Sequence, residues 1–90
     1  MPKIILPDPL LKYSNYNKHL QLNFNNFKEM CDHLSYSYPL LFAVLFDNQQ
    51  RLKGFINFYK DSNYLSEDSL NHILFKDEDV IEIIASVSGG

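Results

Sequence analysis

One stretch of this 90-residue chain carries a complete set of helix signals, and it constrains everything around it. In "NNFKEMCDHLSYSYP" Asn26 is placed to cap a helix, and Glu29, three residues on, completes an asparagine version of the capping box. Phe27, Met30, Cys31 and Leu34 fall at i, i+3, i+4 and i+7, a single apolar stripe, with Lys28, Glu29, Asp32 and His33 on the other side. The run ends at Pro39, because the residue before a proline is disfavoured in the α region. A helix with one apolar stripe must bury it against another layer.

The flanking segments supply that layer. "KIILP" (3–7) is short and β-branched, and "HLQLNF" (19–24) alternates strictly with Leu20, Leu22 and Phe24 on one face. Together they predict a hairpin with a long, tyrosine-rich loop over 10–17. "GFINFYK" (54–60) alternates again, with Ile56 and Phe58 facing one way and Phe55, Asn57 and Tyr59 the other. "VIEIIA" (80–85) closes the series, with Ile81 and Ile83 toward the core and Val80, Glu82 and Ile84 opposite. Residues 40–46 are too apolar to be exposed and show neither period; they read as a buried turn of helix running into a short strand. "DNQQ" (47–50), "DSN" (61–63) and "KDED" (76–79) read as turns, and 64–75 as irregular with a helical turn around 68–74. The order predicts an α+β chain: a mixed sheet of four to five strands with one main helix packed on one face. That is the β-grasp, or ubiquitin-like, plan. Its first strand pairs in parallel with its last, at a centre that must be well buried.

Length allows one modest core, so the expected division is a domain over 1–85 and a flexible tail over 86–90. Cys31 is the only cysteine, which excludes an internal disulfide and suits a reducing compartment. No run approaches the ~18 apolar residues of a membrane span, and no export signal opens the chain, so a cytoplasmic location is expected. Net charge is −3, unevenly spread. Residues 1–60 hold seven of the eight Lys and Arg against four acids, whereas 61–90 hold seven acids against Lys76 alone. An acidic region beside the tail argues against nucleic-acid binding and suits a basic protein partner or simple solvation. His19, His33 and His72 share no metal-ligand spacing with one another or with Cys31, so no metal is expected. Asp77, Glu78 and Asp79 read as a solvated turn. Cys31 sits in the apolar stripe of the helix and reads as an inert buried thiol rather than a persulfide carrier. No P-loop, nucleophile elbow or dinucleotide fingerprint is present, so no catalytic residue is assigned and the chain is not read as an enzyme.

The ending "VIEIIASVSGG" resembles the C-terminus of small sulfur-carrier proteins of the ThiS/MoaD type, here a longer variant. Those proteins end in an acidic turn, an apolar strand, a small-residue linker and Gly-Gly. The turn is matched by "KDEDV", the strand by 81–84, and the linker by 85–88 with Val87 at its apolar position; "GFINFYKD" and "PKIILP" match the mid-chain and opening strands. Two departures stand out. Glu78 occupies the turn position that usually carries glycine, so the turn must avoid positive φ or accept strain. The linker has Ala85 and Ser86 where molybdopterin-type members have prolines, which weakens assignment to the molybdenum-cofactor pathway.

The resemblance implies that the Gly90 carboxylate is adenylated by an E1-like activating enzyme using ATP, then becomes a thiocarboxylate that donates sulfur to an acceptor synthase. The chain itself binds no cofactor and is a co-substrate. Val87, Ser88 and Gly89 would thread into the partner, where the absence of a Cβ at Gly89 and Gly90 lets backbone enter a narrow channel. Phe55, Tyr59 and Ile84, on the sheet face away from the helix, are the expected docking anchors. Where the chain is made longer, a metalloprotease would expose the Gly-Gly. Two alternatives stay open: a ubiquitin-like modifier linked through Gly90 to lysines, and a plain interaction module in which the glycines play no part.

Overall fold

Residues 1–86 are described by the structure, a computed structural model. Five strands form one sheet in the order β2-β1-β5-β3-β4. They are β1 (Lys3–Ile5), β2 (His19–Gln21), β3 (Ile56–Lys60), β4 (Asn63–Leu65) and β5 (Val80–Ala85). β1 and β5 run parallel at the centre, with Ile4 opposite Ile81; the β1–β2, β3–β5 and β3–β4 pairs are antiparallel. The β-grasp expectation holds, at five strands. Ile4, Leu20, Ile56, Phe58, Ile81 and Ile83 are buried on one face of this sheet, as the alternation requires.

Helix α1 (Phe27–Ser37) covers that face with Met30, Cys31 and Leu34. Its cap differs in one detail from the sequence reading. Asn26 Oδ1 accepts from Glu29 N at 2.8 Å, but Glu29 Oε1 accepts from Asn25 N at 2.7 Å, one residue before the cap. Asn25 O in turn accepts from Phe75 N at 2.8 Å, so the helix start is tied to the chain leading into β5.

Residues 40–46 depart from expectation. Pro39 occupies the first position of a complete helix, α2 (Pro39–Leu45), where its missing N–H costs nothing. No strand follows, only an isolated bridge between Phe46 and Leu52. The period is blurred because α2 packs on several sides at once: Leu41 and Leu45 are buried, Phe42 and Val44 half-buried, and Leu40 is exposed. Phe27, Phe42, Phe46 and Phe58 form an aromatic cluster between α1, α2 and β3, with ring centroids 4.8–6.5 Å apart.

Four other segments are corrected. The loop after β1 is a 3-10 helix (Asp8–Tyr13), followed by a turn that Ser14 holds from inside: its buried Oγ lies 2.8 Å from Asn17 O and 3.2 Å from Leu11 O. β2 stops at Gln21 and β3 starts at Ile56, each shorter than its alternating segment. Residues 64–75 are more regular than expected. Asp61 and Ser62, at φ 50° and 70°, make a tight two-residue turn of the hairpin type, so 63–65 return as β4. Ser66 then caps α3 (Glu67–His72), its Oγ accepting from Ser69 N at 3.1 Å.

Candidate functional site

The site grows from β5, because that strand leads to the terminal glycines. β5 is held on both edges, by β1 and by β3, and the ladder reaches one residue past its end, where Ser86 N donates to Phe55 O at 2.8 Å. The chain is therefore fixed to Ser86. Val87, Ser88, Gly89 and Gly90, to which threading and activation were assigned, lie outside the described residues.

Of the expected anchors, Tyr59 and Ile84 fall on the face away from α1, whereas Phe55 stands in the turn before β3, at the end of the sheet beside Val44 of α2 and Ala85. The register sets Ile84 opposite Asn57 and Tyr59 opposite Glu82, with Phe55 just before β3. Phe55 and Ile84 are 41% and 39% exposed, so neither is covered, although Val44 of α2 stands beside Phe55. Tyr59 is half-buried because Tyr64 of β4 stands against it, ring centroids 5.8 Å apart in a T-shaped pair. Tyr64, itself 58% exposed, extends the apolar face. It was hidden from sequence reasoning because β4 was not read as a strand.

The acidic turn proves to be built rather than merely solvated. Asp79 is 5% exposed. Its Oδ2 accepts from Lys76 N at 2.8 Å, its backbone N donates to Lys76 O at 3.0 Å, and its backbone O accepts from Lys3 N at 3.0 Å. Lys60 Nζ stands 3.7 Å from the other carboxylate oxygen. This double closure fixes the turn without a left-handed residue: Glu78 is not among the residues with positive φ. Glu78 thus sits in the turn in an ordinary backbone conformation, and the neighbouring Asp79 carboxylate caps the turn from within. Asp77 and Glu78 are exposed as expected.

The placement of the acids is also corrected. The 76–79 turn begins β5 and the tail leaves its end, so about 20 Å of strand separates them at 3.3 Å per residue. Several acids are individually paired instead of forming one field: Asp77 with the N-terminal amine at 3.4 Å, Asp61 with Lys60 at 3.5 Å, and Glu67 with Arg51 at 3.6 Å. The end of the domain beside Ser86 carries Lys12 and Lys18, the latter paired with Asp8 at 3.2 Å.

Cys31 is buried, and its thiol is pushed up to about 12 by desolvation, with the neighbouring Asp32 charge adding to the effect. Such a thiol has almost no thiolate at neutral pH. Asp47, by contrast, is held below the usual carboxylate range because its Oδ1 accepts from Arg51 N at 3.0 Å and from Gln49 N at 2.8 Å. That arrangement closes the loop between α2 and β3. Among the described residues, no three His, Cys, Asp or Glu side chains converge as a metal site would require, and no helix is long and apolar enough to cross a membrane.

No protein-family model matches the chain, and a comparison with curated proteins finds no match. Solved structures do match over its full length. CysO in the Amycolatopsis orientalis BexX/CysO complex superposes with a TM-score of 0.83 at 23% identity, covering 100% of both chains. Mycobacterium tuberculosis CysO, described as an antigen, gives 0.82 at 17%, covering 97% of this chain and 100% of that one. The small archaeal modifier protein 1 of Methanosarcina acetivorans gives 0.78 at 29%, covering 99% and 95%. The chain has the ubiquitin-like β-grasp fold of the ThiS/MoaD type.

Proposed function

We propose that this chain is a sulfur carrier whose Gly90 carboxylate is activated by an E1-like enzyme and converted to a thiocarboxylate. The observation that carries the reading is the position of β5: the central strand of the sheet delivers Ser86, three residues before Gly89 and Gly90, beside the exposed side chains of Phe55 and Ile84. Full-length likeness to CysO and to an archaeal modifier protein supports a carrier or modifier role for such an end.

The chemistry sits at the chain terminus. A carboxylate oxygen attacks the α-phosphorus of ATP and pyrophosphate leaves, which turns a poor electrophile into an acyl-adenylate. A hydrosulfide-level nucleophile then attacks the acyl carbon, AMP leaves, and a proton is released to give the thiocarboxylate. No side chain of this domain need take part. Its role is to present the end and to supply docking free energy that offsets the ordering of the last residues, about 1–2 kcal/mol each. Gly90→Ala would add a methyl beside the reacting carbon, where a small misplacement costs on the order of 100-fold in rate.

Intact mass spectrometry tests the reading. After incubation with an activating enzyme, ATP and a sulfur source, the chain should gain the mass of one oxygen-for-sulfur exchange, and Gly90→Ala should not. No gain, with the enzyme active on another carrier, refutes it. The likeness to a modifier protein favours a second reading, in which Gly90 becomes isopeptide-linked to lysines of other proteins. Adducts that resist thiol reagents would select it. Thiamine, molybdopterin, cysteine or another sulfur metabolite would draw on the same donor end, and the departures at Ala85 and Ser86 make molybdopterin the least favoured.

A further inference from the structure

The face around Phe55 does not stop at the sheet. At the end where β5 finishes, the 3-10 helix and α2 close around a groove of about 380 Å³ whose apolar walls are Leu10, Tyr13, Val44, Phe55 and Ala85. Its charged lining residue is Lys12, whose Nζ lies 5.3 Å from the centroid of the Tyr13 ring. No carboxylate lines the groove, and among the described residues none lies within ion-pair distance of Lys12. Asp8, close by in sequence, is engaged by Lys18. An exposed ammonium held over an aromatic wall, beside an apolar floor, is unmatched charge at the rim of a pocket.

Position supplies the second argument. Ser86 itself lines the groove, and four further residues reach Gly90. Fully extended, they span about 14 Å at most. A protein that holds the Gly90 carboxylate in its active site is therefore forced against this end of the domain. Resting on the activation reading above, we infer that the groove is a second docking element for that same partner. It receives an apolar side chain flanked by an aspartate or glutamate: the apolar group fills the space between Val44 and Ala85, and the carboxylate meets Lys12. Such a rim pair adds orientation and on-rate more than raw affinity.

Adenylation kinetics with a purified E1-like enzyme from the same organism test this, read as ATP–pyrophosphate exchange against carrier concentration. Lys12→Glu should raise KM about five- to tenfold with kcat unchanged and an unaltered melting curve, since Lys12 is exposed. The wild-type KM should also rise with salt, while that of the variant should not. Val44→Thr, nearly isosteric and half-buried, should raise KM without unfolding the domain. Lys76→Glu, at the far end of β5, is the control and should leave KM unchanged. An unchanged KM for Lys12→Glu, or an equal rise for Lys76→Glu, overturns the groove while leaving activation intact. No exchange with wild type, from an enzyme active on another carrier, overturns the activation reading and the groove with it. Concentration-dependent dimerisation abolished by Lys12→Glu would assign the groove to a second copy of this chain and overturn the proposed occupant.

Discussion

Removing the Asp79 carboxylate should destabilise the domain through the start of the very strand that carries the tail. In Asp79→Ala, Lys76 N loses a charged acceptor at 2.8 Å, and a hydrogen bond of that kind contributes about 1.5–3 kcal/mol. The Lys76 amide belongs to an exposed residue and can be rehydrated, which favours the lower end of that range. Lys60, 3.7 Å away and about a quarter exposed, loses a partner that contributes about 1 kcal/mol at most after solvent screening. The expected cost is therefore about 1.5–2.5 kcal/mol. A domain of this size shifts in Tm by roughly 4–8 °C per kcal/mol, so Asp79→Ala should melt about 6–20 °C below wild type. Asp79→Asn keeps an acceptor for Lys76 N and should lose only about 1 kcal/mol. Urea denaturation of the three proteins, at equal m-value, gives the comparison directly. Loss of less than about 0.5 kcal/mol in Asp79→Ala refutes the cap. Equal damage from Asn and Ala shows that charge, not the acceptor, holds the turn.

Other consequences are open to equally direct measurement. Phe55→Ser and Ile84→Ser alter exposed side chains, so both should retain the fold while weakening capture by an activating enzyme about tenfold or more; unchanged KM values would remove the face from the interface. Cys31 should resist iodoacetamide at pH 8 until urea unfolds the chain, because its native thiolate fraction there is on the order of 10⁻⁴; prompt labelling of folded protein contradicts the burial. Since its folded pKa is raised from 9.0 to about 12, its contribution to stability is complete below about pH 9 and is lost as pH climbs toward 12. Stability measured by urea between pH 8 and 10 should accordingly fall less in Cys31→Ala than in wild type. Ser62→Gly, at φ 70°, should raise stability by about 0.5–1 kcal/mol, seen as a Tm gain of a few degrees; a loss would mean that the serine side chain supports the turn.

The sequence exposes the fold wherever a signal is local. The Asn26 cap, the Met30–Cys31–Leu34 stripe and the inward Ile81 and Ile83 all need only nearest neighbours to be read, and each is found as expected. Legibility fails where a residue's role depends on a distant partner. β4 is invisible because Asp61 and Ser62 adopt left-handed conformations without the Asn-Gly pattern that usually announces such a turn. α2 loses its period because it is packed from several directions. Asp79 reads as one more surface acid until Lys60 and Lys3 are brought to it across the sheet. The same holds for the candidate site: the outward Ile84 follows from alternation, whereas the place of Phe55 beside α2, Tyr64 and the Lys12 groove require the topology.

The central placement of β5 has a mechanical meaning. Any enzyme that draws the chain terminus inward pulls along the axis of a strand flanked on both sides. Tension along it loads two ladders of hydrogen bonds in shear together, instead of peeling them one rung at a time. On the carrier reading proposed above, the domain would serve as a rigid handle whose core stays closed under that load.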